Sequence, residues 1–226
     1  MTEYFLPPPH RPSVTIAGHT SRFAVRRIFC VGKNYADHVA EMGGTPQPPV
    51  FFTKPADAIC EGGSIPYPSG TENLHFEAEL VIALGRGGAN ISAANALTHV
   101  LGYATGNDLT RRDLQAQAKD KGAPWDMAKA FDRSAVIGPI HLVQDISHLC
   151  DAPLRCTVNG QLRQDGNINA MIWPVPEIIA TLSQFVEVSS GDLIYTGTPA
   201  GVGAIGVGDR CEVSIEGLTP VAVTIE

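Results

Sequence analysis

The alternation of apolar and polar residues between Asn73 and Leu84 is the most regular pattern in this chain. It predicts a β-strand, because successive side chains of a strand point to opposite faces of the sheet. One predicted face carries Leu74, Phe76, Ala78, Leu80 and Ile82, and the other carries His75, Glu77, Glu79 and Val81. The two carboxylates therefore lie side by side, about 7 Å apart along the strand.

Short segments separated by turn residues make up most of the remaining chain. Its 17 Pro and 23 Gly residues are typical of a sheet-rich fold with many turns. Strands are predicted at Arg27–Val31, Pro48–Thr53, Gly102–Asp108, Asp192–Thr196, Arg210–Ile215 and Pro220–Ile225, and a hairpin with a type I′ turn at Asn159-Gly160. Helices are predicted between Gly32 and Gly43, at Thr110–Lys121 with Asp108 or Thr110 as the N-cap, and at Pro176–Phe185. A long polar loop is predicted to precede Asn73.

These elements predict an α+β, β-rich fold. The 226 residues fit one large domain, which we place at residues 25–226, after a Pro-rich N-terminal arm at residues 1–24 that includes a short strand near Ser13–Ile16. The 16 basic and 23 acidic residues argue against a nucleic-acid or anionic-membrane surface. We expect a cytoplasmic protein, because no apolar run approaches the roughly 20 residues of a membrane span, no secretion signal begins the chain, and the five scattered cysteines are typical of reduced thiols.

A third carboxylate, Asp108, ends the strand predicted after Gly102. Three carboxylates on strands, with no thiolate beside them, suit a hard divalent cation such as Mg²⁺ or Mn²⁺. The simpler alternative is that Glu77 and Glu79 form the hydrated face of an amphipathic strand.

His38 and Glu41 are three residues apart on the short predicted helix, so their side chains share a face. A carboxylate in that position can orient an imidazole that deprotonates water. Lys129 lies in an otherwise apolar run, where its ammonium could stabilise a developing oxyanion. A surface histidine beside a glutamate, and a lysine that extends to solvent, are the simpler alternatives.

Arg111, Arg112 and Gln115 follow Asp108 on the next predicted helix. Adjacent helical residues diverge by about 100°, so at most one arginine can face the site and bind a substrate carboxylate. The Gly-rich loop after the strand at 192–196 includes Thr198, whose hydroxyl could bind a carboxylate together with free backbone N–H groups. A purely structural turn is the alternative.

Taken in order, the motifs resemble those of the fumarylacetoacetate hydrolase family, and within it the short, single-domain acylpyruvate hydrolases. The likeness extends from about Arg26 to Glu226. It rests on Val31-Gly-Lys-Asn-Tyr-Ala-Asp-His-Val with Glu41, Phe52-Thr-Lys-Pro55, Leu74-His-Phe-Glu-Ala-Glu-Leu80, Asn107-Asp-Leu-Thr-Arg-Arg-Asp113, Pro124-Trp with Ala-Lys129-Ala-Phe, and Thr196-Gly-Thr-Pro with Gly201-Val-Gly203.

This resemblance implies a mixed β-sandwich roll of the family's C-terminal domain type, a homodimer, and a Mg²⁺ or Mn²⁺ ion on Glu77, Glu79 and Asp108. By position it implies that His38 and Glu41 activate water, that Lys129 is the pocket lysine, and that Arg112, Gln115 and Thr198 contact the substrate. The implied reaction is hydrolysis of the C–C bond of a 2,4-diketo acid to pyruvate and a carboxylic acid. Fumarylpyruvate, from aromatic catabolism, is the first choice of substrate, ahead of maleylpyruvate and acetylpyruvate.

Several other activities stay open at this point. Oxaloacetate decarboxylation also passes through pyruvate enolate, and a related branch would act as an isomerase or decarboxylase on hydroxymuconate-type compounds. A non-catalytic ligand-binding relative is a further alternative, although such a protein needs no general base. The Gly- and Pro-rich segment from Glu41 to Pro49 adjoins the predicted base, and we predict that it closes over the site.

Overall fold

The computed structural model describes residues 4–7, 10–41 and 48–226, so most of the segment predicted to close over the site lies outside the described residues. The strands are β1 (Ser13–Thr15), β2 (Arg22–Ala24), β3 (Arg27–Gly32), β4 (Val50–Lys54), β5 (Ile59–Cys60), β6 (Gly63–Ile65), β7 (Leu74–Phe76), β8 (Ala78–Leu84), β9 (Val100–Asp108), β10 (Thr110–Arg111), β11 (Ala135–Ile137), β12 (His141–Leu142), β13 (Pro153–Val158), β14 (Gln161–Asn167), β15 (Asp192–Tyr195), β16 (Gly203–Ala204), β17 (Arg210–Ile215) and β18 (Val221–Ile225). The α-helices are α1 (Ala36–Glu41), α2 (Ala93–Ala96), α3 (Arg112–Lys121), α4 (Asp126–Lys129), α5 (Val143–Ile146) and α6 (Val175–Phe185), and 3₁₀ turns lie at Ala56–Ala58, Leu97–His99 and Ile168–Ala170.

Two large mixed sheets form the fold, as the predicted α+β, β-rich class requires. The eight-stranded sheet has the order β4-β3-β15-β8-β9-β11-β5, with β12 also paired to β9. Its β3–β15 and β5–β11 pairs are parallel and its other pairs are antiparallel. The five-stranded sheet has the order β14-β13-β17-β18-β6. Among the described residues, no helix has the length and apolar character needed to cross a membrane.

Strand β8 is buried on both faces, because hydrophobic cores lie on either side of it. Leu80 and Ile82 belong to the larger core, which includes apolar residues of the five-stranded sheet and of α6. Val81 and Ala83 belong to the second core. That core also contains residues of the β1–β2 hairpin, which lies within the stretch predicted as an N-terminal arm.

The predicted turn chemistry is confirmed in the hairpin between β13 and β14. Asn159 and Gly160 have φ angles of 52° and 78°, the left-handed pair that a type I′ turn requires. Helix α6 has Pro176 in its first turn, as predicted. The strands predicted at the end of the chain are present as β15, β17 and β18.

Two strand predictions are wrong in detail. The strand predicted from Leu74 is divided into β7 and β8 at Glu77, whose N–H donates to the side chain of Asn107 at 2.9 Å rather than to a backbone carbonyl of a neighbouring strand. The predicted polar loop before Asn73 contains β5 and β6. Each pairs in parallel with a strand distant in sequence, β11 and β18 respectively, so no local pattern indicates them.

The predicted start of α3 is also wrong. The helix begins at Arg112, its N-cap residue is Arg111, and no side chain caps it. Thr110 lies in β10 instead, where its hydroxyl donates to the Asp108 carbonyl at 2.9 Å. The side chains proposed as caps are thus engaged elsewhere.

Asn34 fixes the segment between β3 and α1 to two distant parts of the chain. Its amide donates to the carbonyls of Trp173, at 3.0 Å, and Thr196, at 2.7 Å, and its side-chain oxygen accepts from the Trp173 N–H at 2.7 Å. Asn34 is fully buried, its bond to the Thr196 carbonyl is buried as well, and its two bonds to Trp173 are partly buried.

We expect Asn34→Ala to lower the free energy of unfolding by about 2–4 kcal/mol, since it removes three hydrogen bonds and leaves the buried Thr196 carbonyl without this donor. Urea denaturation measures the change. Asn95→Ala, at an exposed position on α2, is the matched control and should change stability by less than about 0.5 kcal/mol. Equal unfolding midpoints for both variants would contradict this role for Asn34.

Candidate active site

Glu77, Glu79 and Asp108 form a buried carboxylate cluster where β7, β8 and β9 meet. Glu77 occupies the break before β8, Glu79 is the second residue of β8, and Asp108 ends β9. The Asp108 N–H donates to the Glu77 carbonyl at 2.9 Å, which holds the two chain segments together. One oxygen from each side chain lies within 4.8 Å of the others. The alternative of a hydrated strand face is wrong, because the exposed fractions are 5%, 1% and 1%.

Three cations offset these carboxylates. Lys129 donates to Glu77 and Asp108, each at 2.7 Å, and to the Thr110 hydroxyl at 2.6 Å. Arg112 donates to the other oxygen of Glu77 at 2.5 Å. The ammonium of Lys54 lies 2.8 Å from Oδ1 of Asp108 and donates to the carbonyl of Lys129.

The three carboxylates are not equally compensated by these cations. Burial raises the pKa of Glu77, but Lys129 and Arg112 outweigh it and hold that pKa well below its usual range. Burial lowers the pKa of Lys129, but Asp108 and Glu77 raise it above its usual value, so this lysine stays charged. Burial, followed by the charges of Asp108 and Glu77, raises the pKa of Glu79 well above its usual value.

These residues fit a hard divalent cation. The cluster offers only oxygen ligands, which Mg²⁺ and Mn²⁺ prefer. Among the described residues, Oδ1 of Asp108 has the Lys54 ammonium at 2.8 Å but no hydrogen bond of suitable angle, so a lone pair is available for a metal. A divalent ion would also relieve the repulsion that raises the pKa of Glu79.

His38 and Glu41 lie together on α1, as their spacing predicts. Nδ1 of His38 is 3.0 Å from Oε2 of Glu41. An ionised carboxylate only accepts hydrogen bonds, so this contact assigns the ring proton to Nδ1 and leaves the Nε2 lone pair free. The Gly201 N–H donates to Glu41 at 3.1 Å and fixes it against the Gly-rich loop.

The two adjacent arginines at the start of α3 diverge, as predicted. Arg112 faces the cluster and also donates to Gln115 at 2.6 Å. Arg111 points away, with its guanidinium 4.5 Å from the ring centroid of Phe131. Burial and the Arg112 charge lower the pKa of His75 to about 4, so its neutral Nδ1 can accept from Nε of Arg112 at 3.3 Å.

The Gly-rich loop after β15 binds the protein's own carboxylates through two of its N–H groups. Gly197 donates to Glu79 at 2.8 Å, and Gly201 donates to Glu41. Gly197 has a φ of 96°, and a Cβ there would lie 2.8 Å from the Cβ of Asn34, so only glycine fits. The prediction that free N–H groups of this loop bind a substrate carboxylate is therefore wrong for the N–H groups of Gly197 and Gly201. Thr198 accepts from Gln164 at 2.8 Å and keeps its hydroxyl proton to donate.

A cavity of about 240 Å³ connects these groups. Seven of the nine site residues predicted from the sequence line it, and the other two, Glu41 and Asp108, contact lining residues. Its walls are formed by Val31, Gly32, Lys33, His38, Phe52, Glu77, Glu79, Arg112, Gln115, Lys119, Trp125, Lys129 and Thr198.

Sequence reasoning gave no role to Lys54, Asn107 or Gln164. Lys54 is the third cation of the cluster, and Asn107 accepts from the N–H of Glu77. Gln164 accepts from the Ala78 N–H at 3.0 Å while it donates to Thr198, so it joins β8 to the Gly-rich loop. A lysine that ends an apolar strand, before Pro55, was the available signal for Lys54.

Comparison with known proteins identifies a matching family and several similar relatives. The family model described as Fumarylacetoacetate (FAA) hydrolase C-terminal matches residues 27–226. The mitochondrial oxaloacetate tautomerase of Rattus norvegicus is 41% identical over 203 residues, which cover 89% of this chain and 92% of that protein. The fumarylpyruvate hydrolase of Ralstonia sp is 42% identical over 176 residues, which cover 77% of this chain and 91% of that protein.

A solved structure matches almost the whole chain. It is the fumarylpyruvate hydrolase from Pseudomonas aeruginosa in complex with Mn²⁺ and pyruvate, with a TM-score of 0.97 and 45% identity, and the match covers 99% of each chain.

We expect metal binding to release protons and to weaken as the pH falls. The raised pKa of Glu79 means that a proton competes with the metal for this carboxylate. Calorimetric titration with Mn²⁺ in buffers of different ionisation enthalpy measures the release, and titrations between about pH 8 and about pH 6 measure the affinity. Glu72→Gln, at an exposed position nearby, should behave like the wild type. Heats that do not vary with the buffer, together with an affinity that does not vary with pH, would contradict this expectation.

Proposed function

This chain belongs to the fumarylacetoacetate hydrolase family, and we propose that it is a metal-dependent hydrolase that cleaves a 2,4-diketo acid between C3 and C4. The products are pyruvate and a carboxylic acid. Fumarylpyruvate is the substrate we propose. Support comes from the two fumarylpyruvate hydrolases that are 42% and 45% identical to this chain over the matched residues.

The observation that carries this proposal is that a candidate metal site and a candidate general base adjoin the same cavity. A carboxylate cluster suited to a divalent cation and the His38–Glu41 pair both adjoin it. A binding protein needs no general base, and a decarboxylase needs no activated water. Hydrolysis uses both groups, because a nucleophile must be deprotonated while negative charge develops on the substrate.

His38 is the proposed base. With its proton on Nδ1, the ring can take a proton at Nε2 from a water that attacks C4. Glu41 then stabilises the imidazolium, and the Gly201 N–H keeps that carboxylate in place. The protonated His38 can return this proton to C3 of the leaving pyruvate carbanion, which balances the reaction.

The other residues bind the pyruvoyl end of the substrate. Arg112 and Gln115 adjoin the cluster from α3, and Thr198 offers a hydroxyl from the Gly-rich loop, so these side chains can hold carboxylate and keto oxygens. Lys129 stays protonated and can stabilise charge on an oxygen, but it cannot serve as a base. When bound by Glu77, Glu79 and Asp108, Mg²⁺ or Mn²⁺ would supply Lewis-acid stabilisation of that charge.

A second candidate is tautomerisation of oxaloacetate. The observation that favours it is the 41% identity with the oxaloacetate tautomerase of Rattus norvegicus. Oxaloacetate carries the same 2-oxo carboxylate as an acylpyruvate, and moving a proton from C3 requires a base such as His38. Hydrolysis differs in that it consumes water and yields two acids.

We expect protein stripped of metal by a chelator to be inactive, and Mg²⁺ or Mn²⁺ to restore hydrolysis of fumarylpyruvate faster than of acetylpyruvate. Loss of the diketo-enol absorbance with equimolar pyruvate and fumarate measures the reaction. Oxaloacetate is the parallel substrate. Enol–keto exchange of oxaloacetate without turnover of either diketo acid would instead support the second candidate.

We expect His38→Ala to lower kcat by roughly 10²–10⁴-fold, the range for loss of a general base, while Mn²⁺ affinity stays at the wild-type value. Steady-state kinetics and metal titration measure the two effects separately. His19→Ala, at an exposed histidine outside the cavity, is the control and should keep wild-type kcat. Near-normal turnover by His38→Ala would remove His38 from the mechanism.

A further inference from the structure

Two lysines line the cavity but take no part in the carboxylate cluster. Lys33 follows β3, and Lys119 belongs to α3. Lys54, Lys129 and Arg112 are already paired with two carboxylates of the cluster, Glu77 and Asp108. Within the described ranges, neither Lys33 nor Lys119 forms an ion pair with a carboxylate. The cavity therefore has two positive charges in addition to the three cations that offset the carboxylate cluster.

Lys119 continues a stripe of polar side chains along α3. Arg112, Gln115 and Lys119 are separated by three and four residues, so they share one face of the helix. All three line the cavity. Arg112 contacts the carboxylate cluster, and Lys119 lies about 10 Å farther along the helix axis. A chain of seven carbons with an acid at each end is of comparable length.

An aromatic wall lies beside this stripe, formed by two rings whose planes are inclined by 57°. Trp125 and Phe52 line the cavity with their ring centroids 5.7 Å apart. The ammonium of Lys119 is 5.4 Å from the ring centroid of Trp125. A planar, conjugated acyl chain could lie against the indole and end beside this ammonium.

The surroundings of Lys119 favour an anion. Although the side chain is exposed, partial desolvation and then the charges of Arg112 and Lys33 lower its pKa. Lys33 itself has a φ of 63°, a conformation that is costly for a residue with a Cβ. Arg112, Lys33 and Lys119 all line the cavity, where a carboxylate would offset the repulsion of Lys119 by the other two cations.

We propose that Lys119, with Lys33 as a second cation, binds a terminal carboxylate on the acyl arm of the substrate, so that the preferred substrates are dicarboxylates. This inference rests on the proposed function, because it assumes that the pyruvoyl end occupies the carboxylate cluster. Acyl arms that end in a methyl group leave both lysines without a partner. The competing interpretation is that Lys119 is an ordinary solvated lysine packed on an indole.

The test compares two unreactive 2-oxo acids of equal length. 2-Oxoheptanedioate ends in a carboxylate, and 2-oxoheptanoate ends in a methyl group. Calorimetric titration of the Mn²⁺-loaded protein should show that the dicarboxylate binds about five- to tenfold more tightly, a modest factor because the contact is at the cavity mouth. Lys119→Gln should remove most of this preference, and Lys119→Arg should keep part of it.

Lys121→Gln is the matched control, since Lys121 is exposed on the same helix and does not line the cavity. It should retain the full wild-type preference. A preference that persists in Lys119→Gln, or a wild-type protein that binds both acids equally, would overturn the proposal.

A kinetic measurement separates this proposal from the proposed function. In Lys119→Gln, kcat/KM should fall about fivefold or more further for fumarylpyruvate than for acetylpyruvate, chiefly through KM. Equal losses for both substrates would overturn the role of Lys119 while leaving hydrolysis intact. Failure of the wild type to hydrolyse either substrate would refute the proposed function, whereas the binding preference would still decide whether the site selects dicarboxylates.

Discussion

Three carboxylates are buried beside one another, and the arrangement around them follows from the free-energy cost of burying like charges together. Burial of like charges within 4.8 Å of one another is strongly unfavourable unless cations or protons compensate. Glu77 and Asp108 are compensated by direct ion pairs, whereas within the described part of the chain Glu79 accepts a hydrogen bond only from the Gly197 N–H. Burial, followed by the charges of Asp108 and Glu77, therefore raises the pKa of Glu79. A divalent ion would complete the compensation, so metal binding and the local fold are linked.

The same constraint explains why the scaffold around the site is polar and rigid. Asn34, Asn107 and Gln164 are buried, and each hydrogen-bonds a backbone group that would otherwise lack a partner. Together they join the break before β8, the end of β15 and the Gly-rich loop. Because each amide needs fixed donors and acceptors, small displacements of these segments would leave buried polar atoms unsatisfied. The positions of the carboxylates are thereby set by hydrogen bonds rather than by packing alone.

The sequence predicted those parts of the site that local geometry determines. The spacing of Glu77 and Glu79 placed them on one strand face, and the spacing of His38 and Glu41 placed them on one helix face. The burial of that strand face could not be predicted, because the second core beneath it is assembled from strands distant in sequence. Lys54 lies 2.8 Å from Asp108 although β3, β15 and β8 separate β4 from β9 in the sheet order. The position of Lys54 at the end of an apolar strand marks it as unusual, but the sequence around it does not indicate this partner.

The relatives of this chain bear names of different reactions on related molecules, and the structure indicates how one site can serve them. A 2-oxo carboxylate is common to oxaloacetate and fumarylpyruvate, and the cluster with Arg112 and Gln115 is suited to that part. The substrates differ in the group attached to C3, which would extend along α3 toward Lys119 and Trp125. A helix that carries both the inner arginine and the outer lysine on one face fixes the distance between them. The chemistry would then depend on the buried cluster and the base, while the length and charge of the accepted acyl arm would depend on the outer turn of α3.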